Sequence, residues 1–109
     1  MPTYRELLQQ VKSEIDEVTA PEAQDLVGDG TLFVDVRERD EWEEGNIPGA
    51  IHIPRGFLES RIGDAAPDPT RQIVVYCASG ARSAFGAKTL QELGYEPAAI
   101  EKLRADRVV

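Results

Sequence analysis

The sequence predicts an α/β fold, a mostly parallel sheet covered on both faces by helices, and three observations predict it. Thr31-Leu32-Phe33-Val34-Asp35-Val36 is a nearly unbroken apolar run, too short for a helix and β-branched enough for a buried strand. Gln72-Ile73-Val74-Val75-Tyr76 is the strongest strand pattern of the chain. Segments of helical spacing alternate with these strands, an order that leads to parallel crossovers.

Taken in order, residues 4–17 carry Leu7, Leu8, Val11 and Ile15 at helical spacing and read as an amphipathic N-terminal helix. This helix forms one unit, residues 1–17, ahead of a domain at 18–109. Thr19 with Glu22 three residues later is a capping box for a short helix that reaches Leu26. Gly28 and Gly30 close it. After the strand at 31–36, a helical turn runs through Trp42. Pro48-Gly49 introduces a second strand at 50–53, which Pro54 stops. Residues 57–62 form a short helix. The strand at 72–76 runs straight into Cys77, and residues 83–93 follow as a helix that turns Ala84, Ala87, Leu90 and Leu93 inward before Gly94.

Composition narrows the function. The chain has 109 residues, 41% hydrophobic and 29% charged, enough for one core without disulfides or a structural metal. A formal net charge of -8 argues against nucleic-acid binding, which needs a dense basic footprint. No apolar run approaches the roughly 18 residues of a membrane span, and the polar start lacks a signal-peptide core, so the expected location is cytoplasmic. One cysteine and one histidine make neither an internal disulfide nor the usual zinc site. No metal or cofactor is expected, and Cys77 matters as a thiol.

Parallel sheets bind ligands beyond the carboxyl ends of their strands, and Cys77 lies there, between a strand and a helix N-terminus. The segment Cys77-Ala78-Ser79-Gly80-Ala81-Arg82-Ser83 joins a thiol, small residues able to curl tightly, and an arginine. Successive N–H groups of such a turn converge on one centre, as in an anion nest. Loop dipoles, the helix N-terminus and nearby cations favour a thiolate, which attacks the outer sulfur of a donor and holds it as a persulfide. The competing reading is an inert buried thiol.

The chain resembles the rhodanese family. The matching residues are Leu32-Phe33-Val34-Asp35-Val36-Arg37-Glu38, then Glu41-Trp42, Gly45-Asn46-Ile47-Pro48-Gly49-Ala50-Ile51-His52-Ile53-Pro54, Val74-Val75-Tyr76-Cys77-Ala78-Ser79-Gly80-Ala81-Arg82-Ser83 and Leu93-Gly94-Tyr95. The resemblance implies a three-layer α/β/α fold with a four- to five-stranded, mostly parallel sheet. It also implies catalysis by Cys77, a substrate-binding loop of Ala78, Ser79, Gly80, Ala81, Arg82 and Ser83, and sulfur transfer as the activity. Asp35 and Arg37, at the end of the preceding strand, brace that loop by the same resemblance. Phosphatases and arsenate reductases on this fold have a loop one residue longer before their arginine. Here Arg82 follows Cys77 after only four residues, which favours the narrower sulfurtransferase loop.

Two departures stand out. Asn46 replaces the family's usual histidine and alters a loop hydrogen bond. Beyond Gly94-Tyr95, the family's double glycine and tryptophan are absent, which makes the C-terminus atypical or shortened, with a short strand expected at Ala98 to Ile100. Of the remaining candidates, Arg55 is a possible collector of an anionic donor, whereas His52 and Trp42 read as structural. Glu38, Asp40, Glu41, Glu43 and Glu44 read as a solvated helix face. The leading function is a sulfurtransferase that loads Cys77 from a small sulfur anion or a persulfide donor. It unloads to a thiol, cyanide or a sulfur-carrier protein, with an adenylyltransferase as a further candidate partner. The alternatives are a non-catalytic interaction module and, less favoured, a phosphatase-like or arsenate-reductase-like enzyme.

Overall fold

In the computed structural model, which describes residues 1–78 and 80–103, helix α1 (Tyr4–Glu14) opens on a capping box. The Thr3 hydroxyl accepts from the Glu6 N–H at 3.1 Å, and the Glu6 carboxylate accepts from the Thr3 N–H at 3.0 Å. Strand β1 (Asp16–Val18) follows, then α2 (Ala20–Leu26), β2 (Leu32–Asp35), α3 (Arg39–Glu44) and β3 (Ile51–His52). A 3-10 turn (Arg55–Phe57) leads into α4 (Leu58–Ala65), then β4 (Ile73–Tyr76) and α5 (Ala81–Glu92). A second 3-10 turn (Pro97–Ala99) ends in β5 (Ile100–Leu103).

The five strands form one sheet in the order β1-β5-β4-β2-β3, and every pairing is parallel. Register places Asp35 between Tyr76 and His52, so the carboxyl ends of β2, β3 and β4 share one edge. Cys77 follows β4 directly, and Arg37 lies two residues beyond the end of β2. Side chains alternate across the sheet with period two. Ile73, Val75 and Cys77 pack with Val11 and Ile15, with Leu58 and Ile62 of α4, and with Ala84 and Leu90 of α5. Val74 and Tyr76 pack on the opposite face with Ala23, Phe33 and Ile47. Gly86 lets α5 approach β4 closely, since a Cβ there would lie 3.3 Å from Val75 Cγ1.

The expected α/β architecture stands, with the capping box of Thr19 and Glu22 as read. Several boundaries differ. The N-terminal helix stops at Glu14, and residues 16–18 join the sheet as an edge strand against β5. Its partner lies more than eighty residues away, so no local pattern announces it. A strand expected near 98–100 instead occupies Ile100–Leu103, because Pro97 starts a 3-10 turn. Lys102 fixes the new register: it is fully buried, with Nζ 3.2 Å from Glu17 Oε2 across the β1–β5 pair. The last helix begins at Ala81 rather than residue 83, which puts Arg82 and Ser83 in its first turn. The atypical C-terminus, beyond Tyr95, is described as far as Leu103, and residues 104–109 lie outside the described residues.

Candidate active site

Cys77 leaves β4 at its carboxyl end and stands under the N-terminus of the twelve-residue helix α5. Gly80 makes the turn possible: its φ of 89° is left-handed backbone, which a residue with a Cβ adopts only at a cost. The turn aims two N–H groups back at the sulfur. Gly80 donates to Cys77 Sγ at 3.1 Å and Ser83 at 3.3 Å. The thiol itself lies 3.4 Å from Ser83 Oγ, and that hydroxyl donates to the Gly80 carbonyl at 3.1 Å. Ser83 is fully buried and Cys77 is 4% exposed, so these contacts act in low dielectric, where donors to a charged sulfur count most. Ala78 is exposed, Ala81 is half-buried, and Ser79 lies outside the described residues.

Arg82 points away from the nest to Glu41. Its two terminal nitrogens reach the two carboxylate oxygens at 2.7 and 3.1 Å, a bidentate pair between α5 and α3. Arg82 holds the Glu41 carboxyl down at about 2, with help from the Glu38 N–H. The guanidinium is raised in turn, chiefly by Glu41, with the Cys77 sulfur contributing its field. Glu41 therefore does not belong to a solvated helix face, as its acidic neighbours suggested. It is half-buried and paired, while Glu43 stays exposed against Arg39.

Asp35 and Arg37 spend their polar groups on each other. The Asp35 carboxylate accepts from the Arg37 N–H at 2.9 Å, from Nε at 3.0 Å and from a terminal nitrogen at 2.7 Å. Arg37 also donates to the Gly45 carbonyl at 2.6 Å and covers the Tyr76 ring. The ion pair thus braces the turn after α3, which carries Glu41, rather than touching the cysteine nest directly. His52 stacks on Trp42 and its Nε2 lies 2.8 Å from the Arg37 carbonyl, a structural role for both rings. Asn46 donates to the Trp42 carbonyl at 3.1 Å.

Arg55 is tied to Glu59 at 2.9 Å and to Thr89 Oγ1 at 2.9 Å. With Tyr4, Ala81, Arg82 and Phe85 it lines a cleft of about 410 Å³ beside the loop. Sequence patterns miss Glu41, Tyr4 and Phe85 here. The three-residue spacing of Glu38 and Glu41 signals a capping box, yet nothing local links either residue to Arg82.

The overall fold is shared with known proteins. A family model described as "Rhodanese-like domain" matches residues 19–101. The chain belongs to the rhodanese-like domain family. The thiosulfate sulfurtransferase PspE of Escherichia coli (strain K12) is 35% identical over 63 residues, 58% of this chain and 61% of that protein. A Mycobacterium tuberculosis protein named "Probable adenylyltransferase/sulfurtransferase MoeZ" is 32% identical over 83 residues, 74% of this chain and 21% of its own length. A crystal structure of a thiosulfate sulfurtransferase from Pseudomonas aeruginosa superposes with a TM-score of 0.78 at 31% identity. It covers 90% of this chain and 19% of that one. The chain spans between 34% and 61% of the length of three curated relatives that it matches. Two of these three bear sulfurtransferase names, and the solved neighbours are rhodanese folds. No helix among the described residues is long and apolar enough to cross a membrane.

Proposed function

We propose that this rhodanese-like chain is a sulfurtransferase whose Cys77 carries a sulfane sulfur. The observation behind this reading is the convergence of the Gly80 and Ser83 N–H groups on Cys77 Sγ. Both donors bond more strongly to a thiolate than to a thiol, as charge-assisted hydrogen bonds do. The Cys77 thiolate attacks the outer sulfur of thiosulfate, a new S–S bond forms, the donor's S–S bond breaks, and sulfite leaves with the electron pair. A thiolate or cyanide then takes the terminal sulfur and releases the Cys77 thiolate. The step consumes no external oxidant or reductant.

Sulfur-carrier proteins and adenylyltransferases are the protein partners this reading favours, on the strength of the relative whose name pairs the two activities. A cytoplasmic setting belongs to the same reading, since a reducing compartment keeps a lone thiol available. The test is thiocyanate formation from thiosulfate and cyanide. Turnover by the wild type and none by Cys77→Ser supports the proposal; equal turnover by both defeats it.

A further inference from the structure

Helix α1 lies outside residues 19–101, the stretch that the family model matches, and it packs along α5, the helix whose N-terminus forms the sulfur nest. The Tyr4 ring meets the Phe85 ring with centroids 6.2 Å apart and planes tilted by 33°. Farther along, Glu14 Oε2 lies 2.5 Å from Lys88 Nζ, and the Glu14 carbonyl accepts from Gln91 Nε2 at 3.4 Å. Contacts advance together along both helices, so the two run in one direction and the start of α1 stands beside the first turns of α5. The hold is uneven. Val11 and Ile15 are buried in the core, whereas Leu7 is 40% exposed and Tyr4 64%. A helix of eleven residues is marginal in water by itself, so its exposed first turn depends on tertiary contact, and the Phe85 ring supplies one close to the nest.

Phe85 is well placed to pass that contact on. In an α-helix its N–H bonds to the Ala81 carbonyl, and the Ala84 N–H beside it donates to the Gly80 carbonyl at 3.0 Å. The Ser83 hydroxyl holds the same carbonyl at 3.1 Å. Gly80 and Ser83 are the residues whose N–H groups point at Cys77 Sγ, at 3.1 and 3.3 Å. A tilt of the first turns of α5 therefore moves both donors, and hydrogen bonds weaken steeply as they bend. We propose that Tyr4 is a positioning residue of the Cys77 site: packed on Phe85, it fixes the start of α5 and with it the two N–H groups that hold the sulfur anion. The inference rests on the sulfurtransferase reading and adds helix α1 to the machinery of that site.

The experiment compares full-length wild type with Tyr4→Ala, Tyr4→Phe, Phe85→Leu, Leu7→Ala and the double variant Tyr4→Ala with Phe85→Leu. Iodoacetamide alkylation of the native protein is followed from acid to alkaline pH. The position of the profile on the pH axis reports how well the thiolate is held, and its plateau reports access to the sulfur. Tyr4→Ala and Phe85→Leu are each expected to move the profile up by about half a pH unit and to slow Cys77 loading from thiosulfate about threefold on the acid side of the profile. The double variant is expected to move it no further than either single one, as a shared contact requires. Tyr4→Phe keeps the ring, and Leu7→Ala truncates an exposed residue of the same helix; both are expected to match wild type.

A profile that stays in place in Tyr4→Ala overturns the inference, whether its plateau rises because Tyr4 merely screens the sulfur or stays the same. An equal displacement in Leu7→Ala or in Tyr4→Phe, or additive shifts in the double variant, overturns it too. Each of these outcomes leaves sulfur uptake by the wild type, and so the sulfurtransferase reading, intact. A wild type that takes up no sulfur removes that reading itself, and the role of Tyr4 in it. Circular dichroism shows whether each variant is folded, and if Tyr4→Ala loses structure, Phe85→Leu carries the test from the other side of the contact.

Discussion

Arg82 and Glu41, 41 positions apart in sequence, meet through two hydrogen bonds of 2.7 and 3.1 Å that tie the first turn of α5 to α3. The arginine that closes the cysteine loop therefore serves first to fix that loop against the neighbouring helix. Its partner is held ionised far into the acid range, so the link has a defined pH dependence.

The Glu41 carboxyl sits at about 2 in the folded chain against an ordinary value of 4.5. A depressed folded value means that the pair stabilises fully above the ordinary value and is lost as pH falls toward the folded one. Glu41→Gln is expected to cost about 1 kcal/mol at neutral pH, discounted for partial exposure. The difference from wild type, measured by urea unfolding, narrows through the acid range and vanishes near the folded value. A constant difference across that range contradicts the pairing.

Asp35 and Arg37 form a pair of another kind, with the Asp35 side chain fully buried and that of Arg37 9% exposed. Asp35→Asn leaves a guanidinium under Tyr76 without its counter-charge. The expected loss is about 3 kcal/mol or more of unfolding free energy. Denaturant melts check it, and a loss below about 1 kcal/mol shows that water or a neighbour replaces the carboxylate.

Gly80→Ala tests the turn. At a φ of 89° a Cβ is strained by about 1–2 kcal/mol, and any relaxation moves the Gly80 N–H off the sulfur. Both stability and the rate of Cys77 loading are expected to fall. An unchanged loading rate at reduced stability separates the strain from the nest.

Ser83→Ala removes the only hydroxyl that the described residues place within hydrogen-bonding reach of the sulfur, yet keeps the backbone donor. Loading is expected to slow about tenfold, the equivalent of one hydrogen bond of ordinary strength. Stopped-flow measurement of persulfide formation reads it. A rate equal to wild type assigns the whole effect to the backbone.

Much of this was legible from the chain itself, for physical reasons that differ by element. Strands β2 and β4 announce themselves because buried parallel strands must be apolar on both faces, and Cys77 follows directly from where β4 ends. Thr19 and Glu22 declare a helix start because capping is local chemistry. Strand β1 did not announce itself, since three residues at a sheet edge take their conformation from β5 across the whole chain. Glu41 was hidden for the same reason. Its acidic neighbours are solvated, and only tertiary packing of α3 against the loop distinguishes it from them. Lys102 is the converse case, a charged residue that reads as exposed and is buried because Glu17 reaches it from β1. Non-local pairs decide which charges are surface and which are architecture.

The most direct measurement is the intact mass of the protein after incubation with cysteine persulfide or thiosulfate and removal of excess donor. The account predicts a gain of one sulfur atom per chain, reversed by cyanide and absent from Cys77→Ser. A chain that gains no sulfur, or gains it equally without Cys77, contradicts the account.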